Sequence, residues 1–158
     1  MASGKTSKGK RLARKLNVPF IDLDQEIENQ QKKSISSIFE NKGEEYFRKL
    51  EADVLRSFLK NFKVVVAVGG GTPCFHNNMK YINQVGTSIY LKRSEARILG
   101  RLRQNKDKRP LVAALNDEEL KAFITKSLLL RSPYYKKAKL LFDSDDQQLT
   151  DLIRELGG

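Results

Sequence analysis

Apolar positions along the chain follow two alternating rhythms, one helical and one of buried strands. Between Lys5 and Leu16, the apolar residues Leu12, Ala13 and Leu16 form a modest stripe among lysines, which predicts a basic amphipathic helix. "VPFIDLD" (18–24) is entered through Pro19 and predicts a short strand ending in carboxylates. Ser34 opens another helical stretch, and Gly43 punctuates the chain after it. From Glu44 to Lys60, Phe47, Leu50, Val54, Leu55, Phe58 and Leu59 recur at helical spacing. "KVVVAV" (63–68) is a continuous β-branched run, the mark of a strand covered on both faces, and it stops at three glycines, 69–71.

The second half repeats the alternation. "TSIYLK" (87–92) predicts another buried strand, and Ser94 is placed to cap a helix running to about Gln104. Residues 105–116 are polar, charged and broken by Pro110, so they predict a loop. Asn116 followed three residues later by Glu119 predicts a helix start, and that helix runs on past Pro133, which is expected to bend it. "KLLFD" (139–143) predicts a last strand and "QQLTDLIREL" (147–156) a closing helix. Strands alternating with helices give βαβ units, hence an α/β fold whose parallel sheet is covered on both sides. At 158 residues the chain makes one domain with one sizeable core.

In such a sheet ligands gather at the carboxyl ends of the strands. Three stretches fall there: "DLD" after one strand, "GGG" after another, and "SGKT" where the first helix begins. Gly4 permits close backbone approach, Lys5 supplies a mobile charge, and Thr6 offers a hydroxyl to a metal at a helix N-terminus. The plain alternative is a frayed basic terminus. Asp22 and Asp24, two apart on a strand end, are expected to point the same way and hold a hydrated cation, or else to cap the following helix. Three glycines in a row are entropically costly and fit a ligand lying against the backbone, or an unusually tight turn. Arg48 lies between Glu44 and Glu51 at helical spacing, so a surface ion pair competes with a binding role. Arg109 and Arg131 face the same competition. Arg131 follows three leucines, and a guanidinium in apolar surroundings points to a planar anion.

Composition narrows the chemistry. Hydrophobic residues make up 39% and charged residues 31%, and no run approaches the roughly 20 apolar residues of a membrane span. The lone cysteine, Cys74, and the absence of a charged-then-apolar leader point to a cytoplasmic address. With one Cys and one His (His76), a metal would need oxygen ligands, which points to Mg²⁺. The net charge of +11 alone points to nucleic acid or another polyanion. Its distribution points elsewhere: residues 1–19 hold six bases and no acid, 20–62 hold nine acids against seven bases, and 92–139 hold fourteen bases against five acids. Two basic segments around an acidic one suit a cleft for a polyanionic small molecule, and they lack the aromatic interleaving of a nucleic-acid face.

The ordered set "SGKT", "FIDLD", "GEEYFRKLE", "VVAVGGG", "KRPL" and "RSPYYKKA" closely resembles the shikimate kinase family, ATP-dependent enzymes of the aromatic amino-acid pathway, over essentially the whole chain. The resemblance implies a P-loop, nucleoside-monophosphate-kinase-like three-layer fold with a five-stranded parallel sheet, usually monomeric. It implies a single kinase domain over 1–158, with substrate-binding helices at about 24–61 and a mobile lid at about 104–116. Ser3, Gly4, Lys5, Thr6 and Ser7 would bind the nucleotide, with Lys5 on the transferring phosphate, and Thr6 and Asp22 would hold Mg²⁺. Asp24 would bind shikimate and help activate the attacking 3-hydroxyl. Arg48 and Arg131 would clamp the substrate carboxylate beside Gly69, Gly70 and Gly71. Arg109 would close over the ATP phosphates, and Arg103 resembles the arginine that packs on adenine.

The front departs from the family. Its leading apolar strand, central in the family's sheet, and the opening glycine of its phosphate loop have no counterpart here. The expectation is a truncated start that leaves two strands without a neighbour. The alternatives are a gluconate-kinase-like enzyme of the same fold, a basic nucleic-acid-binding protein, and an inactive remnant that binds substrate only.

Overall fold

The structure, a computed structural model, describes residues 4–58, 63–104, 112, 114–143 and 148–156. Helix α1 (Lys5–Leu16) buries Leu12 and Ala13, two of the three residues of the expected stripe. It ends where Asn17 turns left-handed and returns its N–H to Ala13 and Arg14. Strand β1 (Phe20–Asp22) follows, then α2 (Leu23–Gln31) with Leu23 and Ile27 fully buried. The strand is shorter than "VPFIDLD" because Val18 bonds back to Ala13 and helix α2 already begins at Leu23.

Helix α3 (Ile35–Phe58) is broken at Gly43, whose φ of 79° no β-carbon tolerates well. Beyond the break Phe47, Val54 and Leu55 pack with Leu23, Ile27 and Ile38 into one core cluster. Strand β2 (Val65–Ala67) leads to the glycines, a 3₁₀ turn (Thr72–Cys74) and α4 (Asn78–Val85), neither of which the hydrophobic pattern anticipates. Strand β3 (Ile89–Lys92) and α5 (Glu95–Gln104) come next.

Helix α6 (Asp117–Tyr135) opens with the expected reciprocal cap: Asn116 Oδ1 accepts from the Glu119 N–H at 2.9 Å and Glu119 Oε2 accepts from the Asn116 N–H at 2.7 Å. Pro133 lies inside its last turn. A second cluster joins Ile98 and Leu102 of α5, Leu120 and Ile124 of α6, and Val112. Val112 falls within the expected lid, so that end of the segment is packed into the core, while residues 105–111 lie outside the described residues. Strand β4 (Leu140–Asp143) and α7 (Leu149–Glu155) close the chain, where Phe142, Leu149 and Leu152 pack on Leu12 of α1.

Both ladders are parallel. Strand β1 pairs with β2 in the register Phe20–Val65 to Asp22–Ala67, and β3 pairs with β4 from Ile89–Leu140 to Lys92–Asp143. Among the described residues no ladder joins β2 to β3, so the parallel sheet stands as two pairs. Among the described residues no helix is long and apolar enough to cross a membrane.

Candidate active site

The start of α1 meets the carboxyl end of β1. Thr6 Oγ1 donates to Asp22 Oδ2 at 2.9 Å, which ties the hydroxyl and carboxylate expected to serve a metal. Gly4 holds a left-handed φ of 87° just ahead of the helix. Lys5 is the first helical residue, and Ser7 is exposed in the same turn. Ser3 lies outside the described residues, as does Arg109.

Asp24 corrects one expectation. It is not on the strand with Asp22 but in the first turn of α2, and the position that caps that helix belongs to Asp22, which makes no side-chain cap bond. The two carboxylates still meet, because both line one acidic groove with Thr6. Burial raises the Asp24 pKa above 3.8; the charge of Lys5 opposes this, and Asp22 adds to it.

The glycine run serves side chains rather than unusual backbone angles. Gly71 has an ordinary right-handed conformation, but a β-carbon there would lie 2.6 Å from Arg48 Nη2. A β-carbon on Gly69 would press within 3.3 Å of Asp24 Oδ1 and Glu51 Oε1. The run thus draws Asp24, Arg48 and Glu51 onto one loop.

Arg48 makes the ion pairs that its spacing predicts, but not on the surface. It pairs with Glu44 at 3.1 Å and Glu51 at 3.0 Å, yet its side chain is only 12% exposed. Its guanidinium lies over the rings of Phe75 and Phe47 at 4.5 and 5.2 Å. Glu51, expected on the surface, is 1% exposed and accepts a 2.6 Å hydrogen bond from Thr72 Oγ1. Burial raises its pKa against the pull of that hydrogen bond and of Arg48.

Arg131 reaches this loop from α6, but not through the leucines before it: Leu129 and Leu130 are largely exposed. Its positive charge acts on the Tyr135 hydroxyl, which donates to the Gly70 carbonyl at 2.6 Å. Arg131 and Arg48 both act on the Cys74 thiol, whose pKa burial nonetheless raises. The two arginines therefore flank the same 3₁₀ turn.

Arg103 does not join this group. It forms an ion pair with Asp117 at 2.8 Å, with both side chains more than half exposed. The α5 arginine beside the start of α1 is Arg101, whose Nη1 lies 2.8 Å from where a Gly4 β-carbon would be. Tyr135, Glu51 and Arg101 also lie against these loops, and the sequence pattern marks neither Tyr135 nor Arg101. Glu51 had one signal, its place on the helix face that carries Val54 and Leu55.

A family model described as shikimate kinase matches residues 1–156. The chain belongs to the shikimate kinase family. It is 42% identical over 158 residues to the shikimate kinase of Flavobacterium psychrophilum, covering 99% of this chain and 92% of that one. The shikimate kinase of Phocaeicola vulgatus is 44% identical over 146 residues, covering 92% and 83%. Among solved structures, the shikimate kinase of Bacteroides thetaiotaomicron superposes with a TM-score of 0.91 at 39% identity, covering 99% of this chain and 91% of that one. The Acinetobacter baumannii shikimate kinase in complex with shikimate gives 0.85 at 30% identity, covering 99% and 86%. The fold is therefore the shikimate kinase fold, P-loop and nucleoside-monophosphate-kinase-like, and the chain is an enzyme of that family.

Proposed function

We propose that the chain phosphorylates the 3-hydroxyl of shikimate at the expense of ATP, giving shikimate 3-phosphate and ADP. In this reading the bond between the γ-phosphorus and its bridging oxygen breaks, and a bond from the shikimate oxygen to that phosphorus forms. The hydroxyl proton passes to the Asp24 carboxylate. What supports the reading is the gathering of Asp24, Arg48 and the 69–71 loop, one strand end away from the Thr6–Asp22 pair. Phosphoryl transfer asks a protein mainly for placement and counter-charge, and ATP with a carboxylated acceptor brings roughly five negative charges into one cleft. Lys5 and Arg109 answer the phosphates, and Arg48 and Arg131 answer the carboxylate. Ser3, Gly4, Lys5, Thr6 and Ser7 form the nucleotide loop, and Arg101 rather than Arg103 is the α5 residue beside it.

The donor set fits Mg²⁺. Thr6 and Asp22 offer hard oxygens, and no group of three or more His, Cys, Asp or Glu among the described residues forms a cage. A hydrated cation that shares its remaining positions with phosphate oxygens suits such an open pair. Bound there, it supplies neutralisation of phosphate charge. Thr6 and Asp22 would hold it, while Asp24, in the first turn of α2, handles the proton. The reading also carries a monomer, with the free thiol Cys74 in a reducing cytoplasmic compartment and no nucleic-acid partner.

The test is phosphorylation of shikimate, gluconate and nucleoside monophosphates side by side, with ³¹P NMR of the products. Shikimate is expected to be the preferred acceptor, labelled at its 3-oxygen. Equal or better turnover of gluconate or a nucleotide would overturn the assignment.

A further inference from the structure

A buried polar chain leaves α3 at Arg56, crosses α4 and the 3₁₀ turn, and returns to α3 at Arg48. Its centre is Asn78, the first residue of α4, which has no exposed surface. Asn78 Oδ1 accepts from Arg56 Nη1 at 2.8 Å, and Asn78 Nδ2 donates to the Thr72 carbonyl at 3.0 Å. The neighbours fix the amide in this sense, because a guanidinium only donates and a carbonyl only accepts. Thr72, equally buried, donates its hydroxyl to Glu51 Oε1 at 2.6 Å. Glu51 Oε2 then accepts from Arg48 Nη1 at 3.0 Å.

The far end of the chain is anchored. Arg56 Nη1 also donates to the Ala52 carbonyl and Nη2 to the His76 carbonyl, each at 2.8 Å, and its guanidinium lies 5.0 Å from the Tyr81 ring centre. His76 and Asn77 are both left-handed, at φ 48° and 55°, a conformation strained for residues with a β-carbon. Starting a helix does not require this, since the Asn77 side chain makes no cap bond. The turn instead delivers Asn78 to the interior between Arg56 and Thr72. A buried polar network of this kind holds one arrangement, because each member is satisfied only while the others stay in place. Glu51 has one oxygen on Thr72 and the other on Arg48, so fixing the first fixes the second.

We propose that Asn78 is a positioning residue for the substrate carboxylate: through Thr72 and Glu51 it sets the pose of the Arg48 guanidinium, with Arg56 as its anchor. This inference rests on the shikimate reading and deepens it, assigning part of the carboxylate selectivity to a residue with no exposed surface.

The test compares kcat/KM for shikimate and for its methyl ester, which lacks the anionic carboxylate, in the unaltered protein, Asn78→Ala and Thr72→Val. In Asn78→Ala the value for shikimate should fall at least roughly fivefold, the loss expected of one slackened charge-assisted hydrogen bond, while the ester changes less than about twofold and KM for ATP holds. Thr72→Val keeps the side-chain shape and breaks the next bond in the chain, so it should give the same split, and it decides the matter where Asn78→Ala fails to fold. The double variant should be no worse than the worse single one, since both cut one chain. Equal losses for acid and ester would assign Asn78 a general structural role and overturn the proposal, as would folded variants with unaltered selectivity. A second readout needs no substrate: the Arg48 Nε–H signal in ¹⁵N NMR, identified by its loss in Arg48→Lys, should exchange faster with water in both variants. An unchanged signal would overturn the proposal, whereas absence of shikimate turnover in the unaltered protein would refute the activity and leave this readout to decide the positioning role.

Discussion

Asp24 concentrates the chemistry in one carboxyl group. Its raised pKa means that it takes up a proton at higher pH than a free aspartate does. If the ionised form accepts the hydroxyl proton, the rate must fall as pH drops through that raised pKa, so the acid limb of kcat/KM is displaced upward from 3.8. Asp24→Asn should remove this limb and slow turnover by roughly 10²–10⁴-fold, with the melting temperature preserved. An unchanged pH profile in the variant would assign the limb to another group. Gly71 gives a steric counterpart. In Gly71→Ala the new methyl meets Arg48 at 2.6 Å and displaces the guanidinium. The loss of one charged hydrogen bond is about 1.5–3 kcal/mol, so KM for shikimate should rise by roughly 10–150-fold while KM for ATP changes little. Equal rises in both constants would show general damage to the fold.

Elements differ in how openly the sequence announces them. The strongly periodic stretch after Gly43 and the Asn116–Glu119 helix start were plain, because apolar spacing and a reciprocal cap are local signals. Helix α4 was not. It is eight residues long, begins after left-handed His76 and Asn77, and has no side-chain cap, so its stability comes from Met79 and Asn78 packing into the interior. The strands were legible as runs but not in their limits, which backbone bonds such as Val18 to Ala13 decide. Asn116→Ala removes an acceptor from the α6 cap; the expected cost is about 1 kcal/mol, a fall of roughly 2–4 °C in melting temperature. A loss-free variant would mean that water replaces the cap.

Across the whole molecule, the gathering of distant loops was the least local inference and the most dependent on topology. Parallel strands deliver Asp22 and the 69–71 glycines to the same end, which the alternating pattern implied. Which arginine faces that end was not legible from spacing. Arg103 turns to Asp117, Arg101 turns to Gly4, and Arg131 arrives through Tyr135 rather than through its leucine neighbours. Glu51 was read as a surface partner because its burial follows from Thr72, 21 residues on in the chain.

The claim that these loops form one carboxylate-binding pocket is tested most directly by calorimetric titration of shikimate into the unaltered protein and into Arg48→Ala and Arg131→Ala. One saturable site in the unaltered protein is predicted, weakened at least roughly tenfold by either substitution, since each removes a charge-assisted hydrogen bond from the same carboxylate. Binding of equal strength in all three proteins, with their melts unchanged, would contradict it.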